Sequence, residues 1–306
     1  MAAKMADASV TEIERLPPWF RQGLPDMETI REMKTKFRLS GLHTVCESAL
    51  CPNMGKCWKE GVATFLILGD VCTRACRFCA VKSGRPRDVD ANEPDEIAAA
   101  VKDLGLKYVV ITSVTRDDLP DEGVQQFVAT VLAVRRINPS IKAEVLIPDF
   151  SNRMECLSKL AAVQPEVVSH NIETVRRLSA SIRPQADYER SLNVLKNIKS
   201  LNPSIFTKSG FMVGLGETAQ EVFEAMRDLR AAGCDILTIG QYLAPTQLKR
   251  HVRVQRFATP EEFDHYREKG LEFGFAHVMS APLARSSFIA ESGYQKCLQE
   301  IYARTG

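Results

Sequence analysis

Cys72, Cys76 and Cys79 lie within one short stretch, VCTRACRFCA (residues 71–80). Thiols this close can form a disulfide, bind zinc or hold an iron–sulfur cluster. A structural zinc site uses four nitrogen or sulfur ligands, usually as two separated pairs. Here Cys76 and Cys79 form the chain's one C-x-x-C pair, and Cys72 adds a third thiol beside it. Three clustered thiolates suit a cubane, because they hold three irons and leave the fourth open to a chelating ligand. A second trio lies upstream in CESALCPNMGKC: Cys46, Cys51 and Cys57, spaced C-x4-C-x5-C. Pro52 and Gly55 predict an irregular, wrapping loop for it rather than a helix. Two trios point most simply to two clusters, although a zinc site drawing ligands from both is open on spacing alone. A disulfide framework is excluded by the odd count of nine cysteines and the lack of a secretory start.

These thiols need a scaffold, and the chain supplies a recurrent one. Six short runs rich in Val and Ile read as buried strands: ATFLILG, KYVVIT, IKAEVLIP, PEVVSHNIE, SIFTKSGFMVG and CDILTIG. Helical patterns alternate with them, among them DEIAAAVKDLG, VQQFVATVLAVRRIN, RMECLSKLAA, YERSLNVLKNIKSLN and AQEVFEAMRDLRAAG. Strands alternating with helices imply a parallel sheet with the helices outside. The expected fold is α/β, a partial (βα)6 TIM-type barrel whose active site lies at the C-terminal ends of its strands. The Cys72–Cys79 loop follows the first of these strands and so falls on the catalytic face. Three segments are expected: an N-terminal extension over 1–61 carrying the upstream trio, the barrel over 62–245, and a C-terminal extension over 246–306. Both extensions are expected to close over the barrel mouth. The first forty residues, with Pro17, Pro18 and Pro25, read as an extended arm leading to a short helix around Ile30, Met33 and Phe37.

Composition narrows the function classes. Lys and Arg number 40 against 38 Asp and Glu, a balance without the electrostatic footprint of a nucleic-acid or membrane-surface binder. No run approaches the roughly 18 uninterrupted apolar residues of a membrane helix. The start has no apolar signal core, and Asp7, Glu12 and Glu14 argue against a transit peptide, so a cytoplasmic protein is expected. Other residues read as structural. Cys156, Cys234 and Cys297 stand singly, as buried small hydrophobes do. His43, His170, His251, His265 and His277 never recur at metal-ligand spacing. VGLGET has neither the third glycine of a dinucleotide fingerprint nor the Gly-Lys of a phosphate loop, and reads as a turn ending a strand. RVQRFATPEEFDHYREKG reads as a solvated helix with its lead-in.

The C-x3-C-x2-C motif, with Phe78 before its last cysteine, resembles the radical S-adenosylmethionine (SAM) superfamily. Further stretches resemble the lipoyl synthase family within it: the upstream trio, HNIET at 170–174, TKSGFMVGLGET at 207–218, LTIGQYLAP at 237–245 and RSSF at 285–288. The family pattern ends in Tyr where this chain has Phe288, which removes a phenol and keeps both serines.

The resemblance implies insertion of two sulfur atoms, at C6 and C8 of an octanoyl chain amide-linked to a carrier-protein lysine. Such C–H bonds are not acidic, so radical chemistry carried by cofactors is required. It implies two [4Fe–4S] clusters and SAM. Cys72, Cys76 and Cys79 would hold the cluster that binds and cleaves SAM. Cys46, Cys51, Cys57 and Ser287 would hold the auxiliary cluster that is consumed as the sulfur source. Without the resemblance, RSS reads only as a polar loop. A hard oxygen ligand is a poorer partner for this iron than a thiolate, which suits a cluster that must open. Ser113, Asn171, Glu173 and Arg183 follow strand ends and are the candidate SAM contacts, Arg183 for its carboxylate; Lys208 is a weaker one. Implied partners are octanoylated lipoyl-carrier domains (dehydrogenase E2 subunits or glycine-cleavage H protein) and a one-electron donor such as ferredoxin or flavodoxin. Rival readings are a biotin-synthase-like sulfur inserter, a non-catalytic iron–sulfur carrier or redox sensor, and a zinc-stabilised barrel.

Overall fold

A computed structural model describes residues 16–21, 23, 26–59 and 62–305. Asp7, Glu12, Glu14 and Pro25 of the expected N-terminal arm lie outside the described residues. All six expected strands form: β2 (Thr64–Ile67), β5 (Tyr108–Ser113), β6 (Lys142–Leu146), β7 (Val167–Ser169), β8 (Phe206–Val213) and β9 (Ile236–Gln241). They pair in chain order and in parallel. Two further strands widen the sheet to eight. At one edge β1 (His43–Thr44) pairs antiparallel with β2, and at the other β10 (His277–Ser280) pairs parallel with β9. The sheet is an open, partial barrel. β10 escaped the sequence because HVMS is short and mixes polar with apolar residues, without the Val- and Ile-rich run of the others. A small parallel ladder, β3 (Val71–Cys72) with β4 (Lys82–Ser83), holds the start and the exit of the first cysteine loop together.

Seven helices fall where the sequence put them: α1 (Met27–Leu39), α4 (Glu93–Asp103), α5 (Val124–Ile137), α6 (Met154–Ala162), α8 (Tyr188–Leu201), α9 (Ala219–Ala231) and α10 (Pro260–Glu272); α7 (Arg176–Ile182) and α11 (Ala290–Thr305) are additions that the sequence reading did not include. Thr218 and Thr259 open α9 and α10 with capping boxes through Glu221 and Glu262. Side chains alternate across each strand. Val109, Ile111, Ala143 and Val145 point outward into a core shared with Ile97, Val101, Phe127 and Val131 of the helices. Leu237, Ile239 and Val213 do the same against Val222, Met226 and Phe263. Burying each such large side chain contributes about 2 kcal/mol, against well under about 1 kcal/mol per residue from helix propensity, so packing holds the helices on the sheet. Among the described residues no helix is long and apolar enough to cross a membrane.

The inward face divides into a floor and a cavity. At the N-terminal ends of the strands, Tyr108, Val167 and Ile236 pack against Ala290, Tyr294 and Cys297 of α11. The C-terminal extension therefore contributes a turn at the mouth and also plugs the opposite end. Lys208 belongs to this floor. Its ammonium reaches Glu144 at 2.9 Å, both side chains are buried, and the Tyr108 hydroxyl donates to the same carboxylate at 2.8 Å. The weak expectation that Lys208 touches a ligand is corrected accordingly, because a buried charge needs its partner nearby.

A second buried charge ties the loops at the upper end. Arg74, between Cys72 and Cys76, donates to Asp149 at 2.8 and 3.0 Å and to Asp117 at 2.6 to 3.2 Å. Arg190 of α8 adds a bond to Asp149 at 2.9 Å. The Asp149 carboxylate is 0% exposed. Burial alone would raise its pKa, but the Arg74 hydrogen bonds and charge outweigh that and hold it at about 2. Loops after β3, β5 and β6 are thereby joined through one guanidinium. Arg74→Ala is expected to destabilise the chain by about 3 kcal/mol, because it strips a buried carboxylate of its main counter-ion. Urea unfolding checks this, and adding Asp149→Asn to Arg74→Ala is expected to recover part of the loss.

Candidate active site

One cavity of about 520 Å³ opens at the C-terminal ends of the strands. All six cysteines of the two trios border it, together with Ser113, Asn171, Glu173, Arg183 and Ser287. Residues separated by up to 241 positions in the chain thus share one wall-to-wall space (Cys46 to Ser287).

The first trio is held by its backbone. Cys72 ends β3, and its sulfur accepts from the amides of Arg74 at 3.4 Å and Thr115 at 3.3 Å. The Ala75 amide donates to the Gln185 side chain, and that of Arg77 to the Ile182 carbonyl. His251 Nε2 lies 3.1 Å from the Cys79 carbonyl. The loop is therefore clamped from several elements while its thiols stay free.

The second trio departs from the expected irregular loop. Cys46 lies in α2 (Val45–Ser48), which Thr44 caps through the Glu47 amide, and Cys57 lies in α3 (Met54–Lys59). Gly55 sits inside α3 instead of breaking it. Glycine in a helix costs up to about 1 kcal/mol. Burying Trp58 of the same helix against Phe37, with ring centroids 5.7 Å apart, contributes about 2 kcal/mol or more and prevails. Cys51 lies between the two helices. Next to it Asn53, buried, donates to the Leu283 carbonyl at 2.7 Å and so fastens this trio to the RSSF segment.

That segment forms a turn, closed by the Phe288 amide on the Arg285 carbonyl. It reaches the cavity because Gly240 of β9 has no side chain: a Cβ there would collide with the Ala284 carbonyl. Ser286 accepts from Asn171 at 2.7 Å, which leaves Ser287 as the uncommitted hydroxyl of the pair at the cavity. Phe288 takes Lys56 over its ring at 5.3 Å, so the position of the family tyrosine is filled by a cation–π contact.

Electrostatics make the cavity receptive to negative charge. Arg183 and Arg285 both border it, and neither forms an ion pair among the described residues. Arg183 spends hydrogen bonds on the Ile172 carbonyl and Ser191, and Arg285 on the Ala284 carbonyl. Burial pulls the Arg285 pKa below its usual value, with the Cys51 and Glu173 charges acting the other way. Glu173 is raised by burial, against the pull of Arg183. Burial likewise lifts Cys46 and Cys79 to about 11 and Cys76 to about 12. Buried thiols of this kind stay protonated until a metal displaces the proton.

Among the described residues, no three His, Cys, Asp or Glu side chains converge on a single ion. A cubane is broader than an ion, and thiols bordering a shared space suit it better than thiols meeting at a point. Anionic thiolate-bound clusters, and a ligand carboxylate, would balance the two unpaired guanidiniums. Ser113 Oγ and Asn171 Oδ1 are buried without a protein partner, as groups reserved for a ligand are. The donor set therefore fits both iron–sulfur clusters and SAM.

Sequence reasoning missed two residues here. Arg285 was read only as part of RSSF, yet it borders the cavity and feels the charges of both Cys51 and Glu173. His170 was set aside as structural, yet it borders the cavity with Nδ1 bonded to the Ile147 carbonyl and Nε2 unpartnered. Burial drops its pKa to about 4, which keeps it neutral. Its position directly before Asn171 in HNIET was the available signal.

Comparison with known proteins agrees with this geometry. Residues 66–229 match the model of the radical SAM superfamily. The lipoyl synthase of Symbiobacterium thermophilum is 51% identical over 295 residues, covering 96% of this chain and 91% of the relative. That of Rubrobacter xylanophilus is 53% identical over 274 residues, covering 90% and 85%. Among solved structures, Streptococcus suis SuiB bound to S-adenosylmethionine superposes with a TM-score of 0.53 at 12% identity, over 81% of this chain and 58% of that one. At that identity the likeness concerns the fold. Relatedness at half identity over nearly the whole length separates this chain from the carrier, sensor and zinc-barrel readings. It belongs to the lipoyl synthase family of the radical SAM superfamily.

Proposed function

We propose that this chain inserts two sulfur atoms, at C6 and C8, into an octanoyl chain amide-linked to a lysine of a carrier protein. The observation that carries the reading is the pair of cysteine trios, with Ser287, around a single cavity in a chain of this family. In this reading Cys72, Cys76 and Cys79 hold one [4Fe–4S] cluster, and Cys46, Cys51, Cys57 and Ser287 hold the other. Bound there, the clusters and SAM supply the one-electron chemistry and the sulfur that an unactivated C–H bond requires.

The chain's own residues bind, orient and exclude water. Arg183 offers its guanidinium to the SAM carboxylate, and Ser113, Asn171 and Glu173 offer polar contacts to the rest of SAM. Arg285 balances negative charge between the two trios. Leu66, Val114, Ile147 and Leu243 give the cavity an apolar wall suited to a hydrocarbon chain and to keeping water from a reactive site. Asn171, by holding Ser286, fixes the turn that presents Ser287. The partners in this reading are octanoylated dehydrogenase E2 subunits or glycine-cleavage H protein, with ferredoxin or flavodoxin as electron donor, in the cytoplasm.

Two tests follow from the division of labour. Cys72→Ala, Cys76→Ala or Cys79→Ala is expected to abolish SAM cleavage. Cys46→Ala, Cys51→Ala or Cys57→Ala is expected to keep some cleavage and lose sulfur insertion, with iron and acid-labile sulfide falling from about eight to about four of each per chain. Retention of lipoyl product in the second set would refute the assignment. For Ser287, replacement by cysteine is the sharper change, because a thiolate is the stronger iron ligand. Ser287→Cys is expected to assemble both clusters, seen spectroscopically, and to stall at or before the first insertion. Lipoyl product at the parent rate from Ser287→Cys would remove Ser287 from the ligand set.

A further inference from the structure

Between Asp235 and Glu261 the chain carries no acidic residue, and this stretch holds Lys249, Arg250, Arg253 and Arg256. Leu243, Ala244 and Pro245, within it, border the cavity. Beyond them the backbone lies along the first cysteine loop. The Val252 amide donates to the Arg77 carbonyl, and His251 meets the Cys79 carbonyl. Tyr242 fixes the same segment by donating to the Val252 carbonyl at 2.6 Å.

Alternation then sorts the side chains. Val252 and Val254 pack inward on a small cluster of Ile182, Leu215 and Tyr242. Lys249, Arg250 and Arg253 are exposed. Arg256 is neutralised by Glu262 at 2.7 Å, whereas Lys249, Arg250 and Arg253 form no ion pair among the described residues. Arg77, also exposed, adds a fourth positive charge from the cysteine loop. Leu248, 59% exposed, sits next to Lys249 as an apolar contact within this basic rim. A charged rim around an apolar contact is the usual arrangement of a protein-binding face.

We propose that Lys249, Arg250 and Arg253, around Leu248, form the docking surface for an acidic face of the carrier protein, next to its modified lysine. The inference rests on the proposed activity: a chain tethered to a lysine must enter the cavity through its mouth, which brings the carrier's surface to rest on the rim. Unbalanced positive charge on that rim selects a carrier whose surface near the lysine is negative and steers its approach.

The test uses the full-length, cluster-loaded chain with Lys249→Glu and Arg253→Glu combined. Arg250 is left in place because its charge acts on the Cys79 thiol. Two probes are compared, an isolated octanoylated carrier domain and a short octanoyl-lysine peptide. The double variant is expected to raise the Kd for the domain about tenfold at low salt and to flatten its salt dependence. Its cluster content, melting temperature and turnover of the peptide are expected to equal those of the parent. Equal affinity of parent and variant for the domain would overturn the docking surface. Loss of peptide turnover in the variant would also overturn it, by moving the effect to the cavity. Tighter binding of an RNA or DNA oligonucleotide than of the domain, through these same residues, would assign the strip elsewhere and overturn it too. A parent chain that turns over neither probe would refute the activity itself, and the docking with it.

Discussion

Parallel strands force every following loop onto one side of the sheet, and the site depends on that constraint. The strands from β2 to β9 end around one cavity, so loops distant in sequence meet there without any local signal between them. Two devices refine this general effect. Arg74 carries a charge under the first cysteine loop and binds the loops after β5 and β6 through Asp117 and Asp149. Gly240 lets a late turn lie directly on the end of β9, which brings Ser287 to the cavity shared with the early cysteines.

Charge burial takes two opposite forms in this molecule. Lys208 with Glu144, and Arg74 with Asp149, are closed pairs whose partners lie within 3 Å. They are architectural, and removing one member is costly because the other is left in a low dielectric. Arg183, buried, and Arg285, half-buried, are different, since they border a cavity and form no ion pair among the described residues. Buried charge of that kind is expensive unless something balances it. Thiolate-bound clusters and a carboxylate ligand are the balance that the donor set of the same cavity implies.

The floor explains why the cavity is confined to one end. Tyr294 of α11 packs against Tyr108 and Phe206, with ring centroids 6.2 and 5.9 Å away, and fills the lower barrel. An open sheet would otherwise leave inward residues such as Ile236 and Val167 in water. The last helix thus completes the core that the missing strands of a closed barrel would supply.

Periodicity and composition, read without a structure, determined the alternating elements, the catalytic end of the barrel and the existence of two thiol trios. Those features are local: strand burial, helix faces and ligand spacing are written within windows of a few residues. Cys72, Cys76 and Cys79 were legible for that reason. Ser287 entered the candidate set only through family resemblance, because a serine in a polar loop carries no ligand signature of its own, and folding brings it to the cavity. Tertiary structure alone decided the rest. Gly55 lies in a helix because Trp58 beside it finds Phe37. HVMS becomes a strand because β9 offers it an edge. Lys208 faces the floor because Glu144 stands opposite, and Arg285 and His170 reach the cavity because distant segments fold across it. In each case the deciding partner lies far away in the chain, and no local pattern encodes a contact between residues that only folding brings together.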